Sequence, residues 1–425
     1  MIGMFSARLA VVVTAVLPFA GVAAADTDMF QDVNLDTFSV RLDLRSYLTQ
    51  GELRWLDGGF GKTRFSHGDS LEGGLQPANV ALIWDPQLPF DLSAHVHAQA
   101  TPDQRNGFDL VEAYLKWKPI PTSETRFSAR AGTFFPPISL ENDGIAWTPT
   151  RTITASAINS WIGEEVLVLG VEGSIRTRVG NNELTLTGAV FRNNDTSGAL
   201  LAYRGWALHD SLATEFGGVA IPVRSAAWKA FLPLQGAVTE PTREVDGRYG
   251  SYVRLQWVLA APVTLDSLYY DNHAKPEIVT DGQYGWRTRF VNAGLTAALD
   301  DDTELLAQFM TGETTMGAEI VPGARAVDVS FSAAYVLLSH SFANSQLTGR
   351  ADWFETRDRT FLDIDNNAEK GWSATLAYKI PVERWVRVVV EGSYVSSARA
   401  ARIDQGINPQ QDQFLLQAAL QFDLK

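Results

Sequence analysis

Two of the six histidines stand as His95-x-His97 in LSAHVHAQ, residues 92–99, with Glu112 one short loop away. That spacing could serve a metal or a general base. A metal needs a third or fourth ligand, and no other segment offers an evident one. The spacing therefore points to a titratable patch that gains positive charge below about pH 6.5. The other constellations are Glu141, Asp143 and Arg151 in SLENDGIAWTPTR, and Arg204, Trp206, His209 and Asp210 in YRGWALHD. Neither these nor His340 sits in a recognisable Ser/His/Asp arrangement, so no catalytic residue is expected. Cysteine is absent, which removes thiolate metal sites, thiol nucleophiles and disulfides. No metal and no cofactor is expected.

The ends and the charge narrow the setting. Residues 1–25 carry one early cation, Arg8, then an apolar run and Ala23-Ala24-Ala25. This is the layout of a cleaved secretory signal peptide, leaving residues 26–425 as the working chain. No later run is apolar and long enough for a spanning helix. With 49 acidic and 35 basic side chains the formal charge is −14, which argues against nucleic acid as a partner.

What must position the histidines is a strand, because apolar and polar residues alternate around them. Leu92, Ala94, Val96 and Ala98 oppose Ser93, His95, His97 and Gln99. The same period of two recurs in FSVRLDLRSY, LVEAYLKWK and QFLLQAALQFDLK. Strands are expected near 38–47, 78–84, 90–99, 108–118, 125–135, 164–176, 183–193 and 250–259. The second half reads 263–270, 285–299, 303–312, 326–338, 346–356, 371–380, 383–395 and 412–424. Connections alternate short and long, the long ones including 48–77, 136–163, 194–249 and 313–325. That alternation predicts an all-β fold, a transmembrane antiparallel barrel of about sixteen strands with short periplasmic turns and long outer loops. Weak alternation in 78–84 and 263–270 leaves the count between 14 and 18. Aromatic residues at strand ends (Phe38, Tyr47, Trp117, Phe135, Trp257, Trp353, Trp372, Phe414, Phe422) suit interfacial girdles.

Over residues 26–425 the architecture resembles that of Gram-negative outer-membrane porins. RAGTFFPPISLEN, residues 130–142, resembles the strand-to-loop segment of the phosphate-selective (O/P-type) porins. The sequence departs from that pattern at Phe135, where the family often carries a basic residue, and ends in Lys425 rather than an aromatic. The resemblance implies a passive pore, a homotrimer, and a constriction loop at 136–163 bearing Glu141, Asp143 and Arg151. The long loop 194–249 reads as an outer loop packed on its own aromatics. The alternation places Arg41, Arg45, His95, His97, Lys116, Arg126, Arg130, Arg254, Arg350 and Arg387 on the inward wall, which is modestly basic although the chain is acidic. Small hydrophilic solutes, with a modest leaning to anions, are the expected cargo, and outer-membrane lipid the surroundings. A channel for a less polar compound, or a barrel enzyme or binding protein, is the alternative.

Overall fold

The computed structural model describes residues 35–260, 262–322, 324–360 and 364–425; the signal-peptide expectation lies outside them. Residues Thr37–Lys425 form one unit. Its alternating segments become sixteen strands: β1 (Phe38–Gly51), β2 (Gly68–Trp84), β3 (Leu92–Ala100), β4 (Asp109–Trp117), β5 (Arg126–Phe134), β6 (Val168–Val179), β7 (Asn182–Arg192) and β8 (Gly250–Val258). The second half is β9 (Val263–Asp271), β10 (Trp286–Ala298), β11 (Thr303–Val321), β12 (Ala324–Phe342), β13 (Ser345–Asp358), β14 (Glu369–Glu383), β15 (Val386–Arg399) and β16 (Gln410–Leu424). Each pairs antiparallel with its sequence neighbour, and β1 pairs with β16 from Val40–Leu424 to Gln50–Phe414. The sheet is therefore a closed barrel without an edge.

All sixteen expected strands are present, and two differences have local causes. β2 begins at Gly68 rather than near 78, because Leu71, Gly73 and Leu75 continue the outward row across from β1. The adjacent Gly73 and Gly74 hide the alternation. The expected loop 313–325 is instead a hairpin, since β11 and β12 continue pairing to Val321 and Ala324. Trp117, Trp257, Trp353, Trp372 and Phe414 are exposed outward, as girdle residues must be. Tyr47 and Phe135 are not: Tyr47 stacks on Phe65 at 4.3 Å and Phe135 on Trp147 at 4.4 Å. Both partners lie in segments that fold into the bore.

Three of the long connections turn inward: 52–67, 135–167 and the first part of 193–249. The second carries helix α1 (Ala157–Glu165), whose start is fixed by Ser156, its side chain accepting from the Asn159 N–H. The third carries α2 (Ala199–Tyr203) and, further out, α3 (Ala226–Phe231). The main apolar core lies inside the barrel. Trp161 of α1 meets Trp206, Phe290 and Phe331, with Phe191 and Tyr270 stacked alongside. This corrects the expectation of a polar inward face throughout. Where α1 docks, β10 to β12 turn Phe290, Leu306, Met310, Phe331 and Leu337 inward, with the polar Asn292 and Gln308 among them.

The inward segments are tied to the wall by buried charges. Arg402, just after β15, grips Glu52 through Nε at 2.9 Å and Nη2 at 2.6 Å. It also donates to the Ser397 and Pro409 carbonyls. Replacing Arg402 by alanine would strand the buried Glu52 carboxylate, at a cost of about 3–5 kcal/mol. Urea unfolding followed by heat-dependent gel migration would show the lowered midpoint; an unchanged midpoint would mean the tie carries no net stability.

Candidate functional site

The segment 135–167 lies against β11 to β15 through charge-assisted bonds. Glu391 of β15 accepts from the Ile153 N–H at 2.6 Å, and from the N–H and hydroxyl of Thr154. Arg350 of β13 donates to the carbonyls of Thr154 at 2.6 Å and Ala155 at 2.9 Å, and pairs with Asp352 at 2.9 Å. Gln308 of β11 donates to the Ile138 carbonyl, and Asp352 accepts the Ala157 N–H. Every one of these wall groups is buried.

Opposite this seam, a second cluster joins the three inward segments. Glu164 of α1 accepts from Trp55 at 2.6 Å, from His209 at 3.1 Å and from Arg204. Burial opposes its ionisation, but Arg204 and His209 outweigh burial and hold the carboxyl down at about 2. Its neighbour Glu165 accepts the indole N–H of Trp161 at 2.6 Å and backbone N–H groups of Gly198, Leu200 and Leu201. There burial prevails, and the carboxyl is pushed up to about 7. Gly205, at φ +85°, lets the chain pass beneath Glu369, where a Cβ would lie 1.9 Å from the carboxylate. Asp210 closes the cluster against Arg64 and Arg45, each at 2.9 Å.

YRGWALHD therefore does not pack as an outer loop on its own aromatics. It enters the bore because Trp206, Arg204 and His209 find partners there that the loop itself lacks. Glu52, Lys62, Glu164, Glu369 and Arg399 went unnoticed in the sequence. They sit in irregular stretches, at strand ends or in the last turn of a short helix, where no periodicity marks a partner. Only the high local density of charge and tryptophan in YRGWALHD was a signal.

The wall residues all face inward, but they divide into two groups. Arg41, Arg45, Arg350 and His97 are covered by the inward segments. His97 lies directly across from Glu112 on β4, and His95 across from Tyr114. His95 stacks on Tyr114 at 4.9 Å and meets Asp85 at 2.7 Å. Among the described residues, His95, His97 and Glu112 do not converge as a ligand set. Of the loop charges, Glu141 is buried and accepts the Ser156 N–H at 2.8 Å. Asp143 and Arg151 stay at the edge of open space, 3.0 Å apart, with Arg151 also on Glu304 at 2.6 Å. Arg387 meets Asp423 at the short-turn end. Arg130 is held by Glu172 at 2.8 Å and lies 4.0 Å from the Phe134 ring centroid. Arg254 pairs with Asp266. Lys116 and Arg126 are exposed to the lumen.

Two consequences follow for passage. Fifteen of the sixteen strands carry a buried inward side chain near the middle, from Arg45 and His97 round to Glu391 and Gln417; on β5 the buried inward residue is Phe134, at its end. The waist is filled. The short-turn half stays open on one side, where Lys116, Lys118, Arg126, Arg176 and Arg254 line a hollow of about 310 Å³.

No protein-family model and no curated protein matches the sequence. Solved structures do. The outer membrane channel DcaP of Acinetobacter baumannii is similar at a TM-score of 0.51, covering 92% of this chain and 99% of its own at 11% identity. The anion-selective porin from Comamonas acidovorans is similar at a TM-score of 0.50, covering 91% and 99% at 9% identity. The chain has a porin fold. On that porin fold, 135–167 is the inward segment after β5, where the resemblance placed the constriction at 136–163. At identities this low, the likeness extends to the barrel and not to the O/P-type family.

Proposed function

We propose that this chain is an outer-membrane channel for small hydrophilic solutes with a modest preference for anions. It would be exported by its leader segment and assembled as a homotrimer in outer-membrane lipid. The observation that carries the reading is the uneven charge of the open half-lumen, because exposed cations without acidic partners bias a pore toward anions. Lys116, Lys118, Arg126 and Arg178 have no carboxylate within ion-pair distance among the described residues, while Arg41, Arg45, Arg130, Arg254, Arg350 and Arg387 are neutralised by pairing. His95 adds to the wall, whereas His97 is covered and cannot join the expected titratable patch; Asp143 with Arg151 forms the rim beside the plug. The anion preference of the Comamonas protein supports the same leaning.

A second reading, a channel specific for one compound, is favoured by the filled waist. Bulk diffusion needs an open bore; a specific channel opens for its cargo. Planar-bilayer recordings under a salt gradient separate these. Anion-selective reversal potentials with steady conductance support the general pore. Currents that appear only with particular solutes support the specific channel. Well-folded protein with no conductance under any condition sinks both and returns attention to a binding or enzymatic barrel.

A further inference from the structure

The hollow at the short-turn end has features that a merely wet wall does not need. Antiparallel pairing sets Arg126 of β5 directly opposite Arg176 of β6, both facing inward. Like charges opposite one another destabilise a sheet, and adjacent strands lie only ~4.8 Å apart. Arg178 follows on the same face two residues on, and Lys116 and Lys118 close the flank across β5. The hollow of about 310 Å³ adjoins a second space of about 260 Å³, which shares Arg126, Arg176 and Glu183 with it. Together they are lined by six cationic side chains against three carboxylates, Glu124, Glu172 and Glu183. Two of those carboxylates and two of the cations are already engaged: Glu183 pairs with Arg176, Arg254 with Asp266, and Glu172 is held by Arg130 and Tyr252, which leaves Lys116, Lys118, Arg126 and Arg178 against Glu124.

We infer that this hollow binds small organic solutes carrying two negative groups, such as short dicarboxylates. A single negative charge leaves the surplus largely in place. Two negative charges nearly cancel it, one acid group bridging Arg126 and Arg176 and the other reaching the lysine flank. Guanidinium groups suit this task because they meet a carboxylate through paired N–H donors. The volume lies at the lower end of small-molecule sites. Pro137, at the root of the inward segment, forms part of the lining, so a bound solute would sit directly beneath the plug.

The inference rests on the channel reading for its purpose, but its test does not. Succinate and butyrate, equal in carbon number, would be titrated calorimetrically into detergent-solubilised protein. Succinate is expected to bind at least tenfold more tightly than butyrate, and Arg126→Gln with Arg176→Gln to weaken succinate at least tenfold. Lys229→Gln, on the exposed outer helix, is expected to leave the affinity unchanged; heat-dependent gel migration confirms that each variant is folded. Equal affinity for the two acids, or wild-type affinity in the double variant, overturns the site. Inorganic phosphate binding more tightly than succinate overturns the organic dianion in favour of a bare ion. Folded protein that binds succinate yet conducts nothing keeps the site and removes the channel reading, and a conducting protein that ignores succinate does the reverse.

Discussion

Replacing Arg350 by alanine is expected to raise single-channel conductance several-fold. Arg350 is buried, and its guanidinium supplies donors to Thr154 and Ala155 while neutralising Asp352 and approaching Glu141 at 3.6 Å. Its loss removes its bonds to Thr152, Thr154 and Ala155 of the inward segment and leaves two buried carboxylates without their cation. A buried charge stripped of its partner costs about 3–5 kcal/mol. The barrel wall itself keeps its ladder bonds, so the cheapest escape is for 135–167 to leave the wall and admit water. Bilayer recordings would then show larger unitary steps with less selectivity, while gel migration would still show a folded barrel. Unchanged steps in folded protein would mean that the segment does not limit passage.

The second expectation concerns pH. Docked, the Glu165 carboxyl titrates at about 7; released into water it returns to its ordinary value near 4.5. Between those values the docked form holds the extra proton, so docking weakens as pH rises through the window. The Glu165 contribution is at full strength below pH 4.5. Conductance should therefore fall on acidification from pH 7 to 4.5 and recover on return. Arg204 and Glu164 are the charged groups that face Glu165, alongside the N–H donors of Trp161 and Leu200. Glu165→Gln keeps the neutral form at every pH and should flatten this part of the profile. A profile identical to wild type would move the effect to another group.

The barrel was legible because a wall of alternating residues repeats one simple pattern sixteen times. Leu92 to Gln99 announces its strand and its two faces, and the structure adds the register that sets His97 across from Glu112. The interior was not legible for a related reason. A plug is written in residues that meet across hundreds of positions, such as Glu391 with Ile153 and Thr154, and no local period marks such meetings. Arg350 illustrates the gap: alternation placed it inward, yet only the fold shows that it clamps a loop rather than lining a stream of solute. Glu141, Asp143 and Arg151 stand together in the sequence as one group of loop charges, and in the structure Arg151 pairs with Asp143. Glu141 beside them is turned to capping work under Ser156.

The tie between Glu52 and Arg402 spans 350 residues, and the Lys62 N–H reaches Gln413 of the last strand at 2.6 Å, 351 positions away. Neither bond can form until β15 and β16 are in place. Contacts so distant in sequence are the slowest to assemble. The 52–67 segment therefore gains these two ties only once the cylinder has closed, and in an outer-membrane channel that order would leave a brief leaky stage. A cell making this protein would feel that interval as a brief permeability at the moment of insertion, and the speed of the last two strands would set its length.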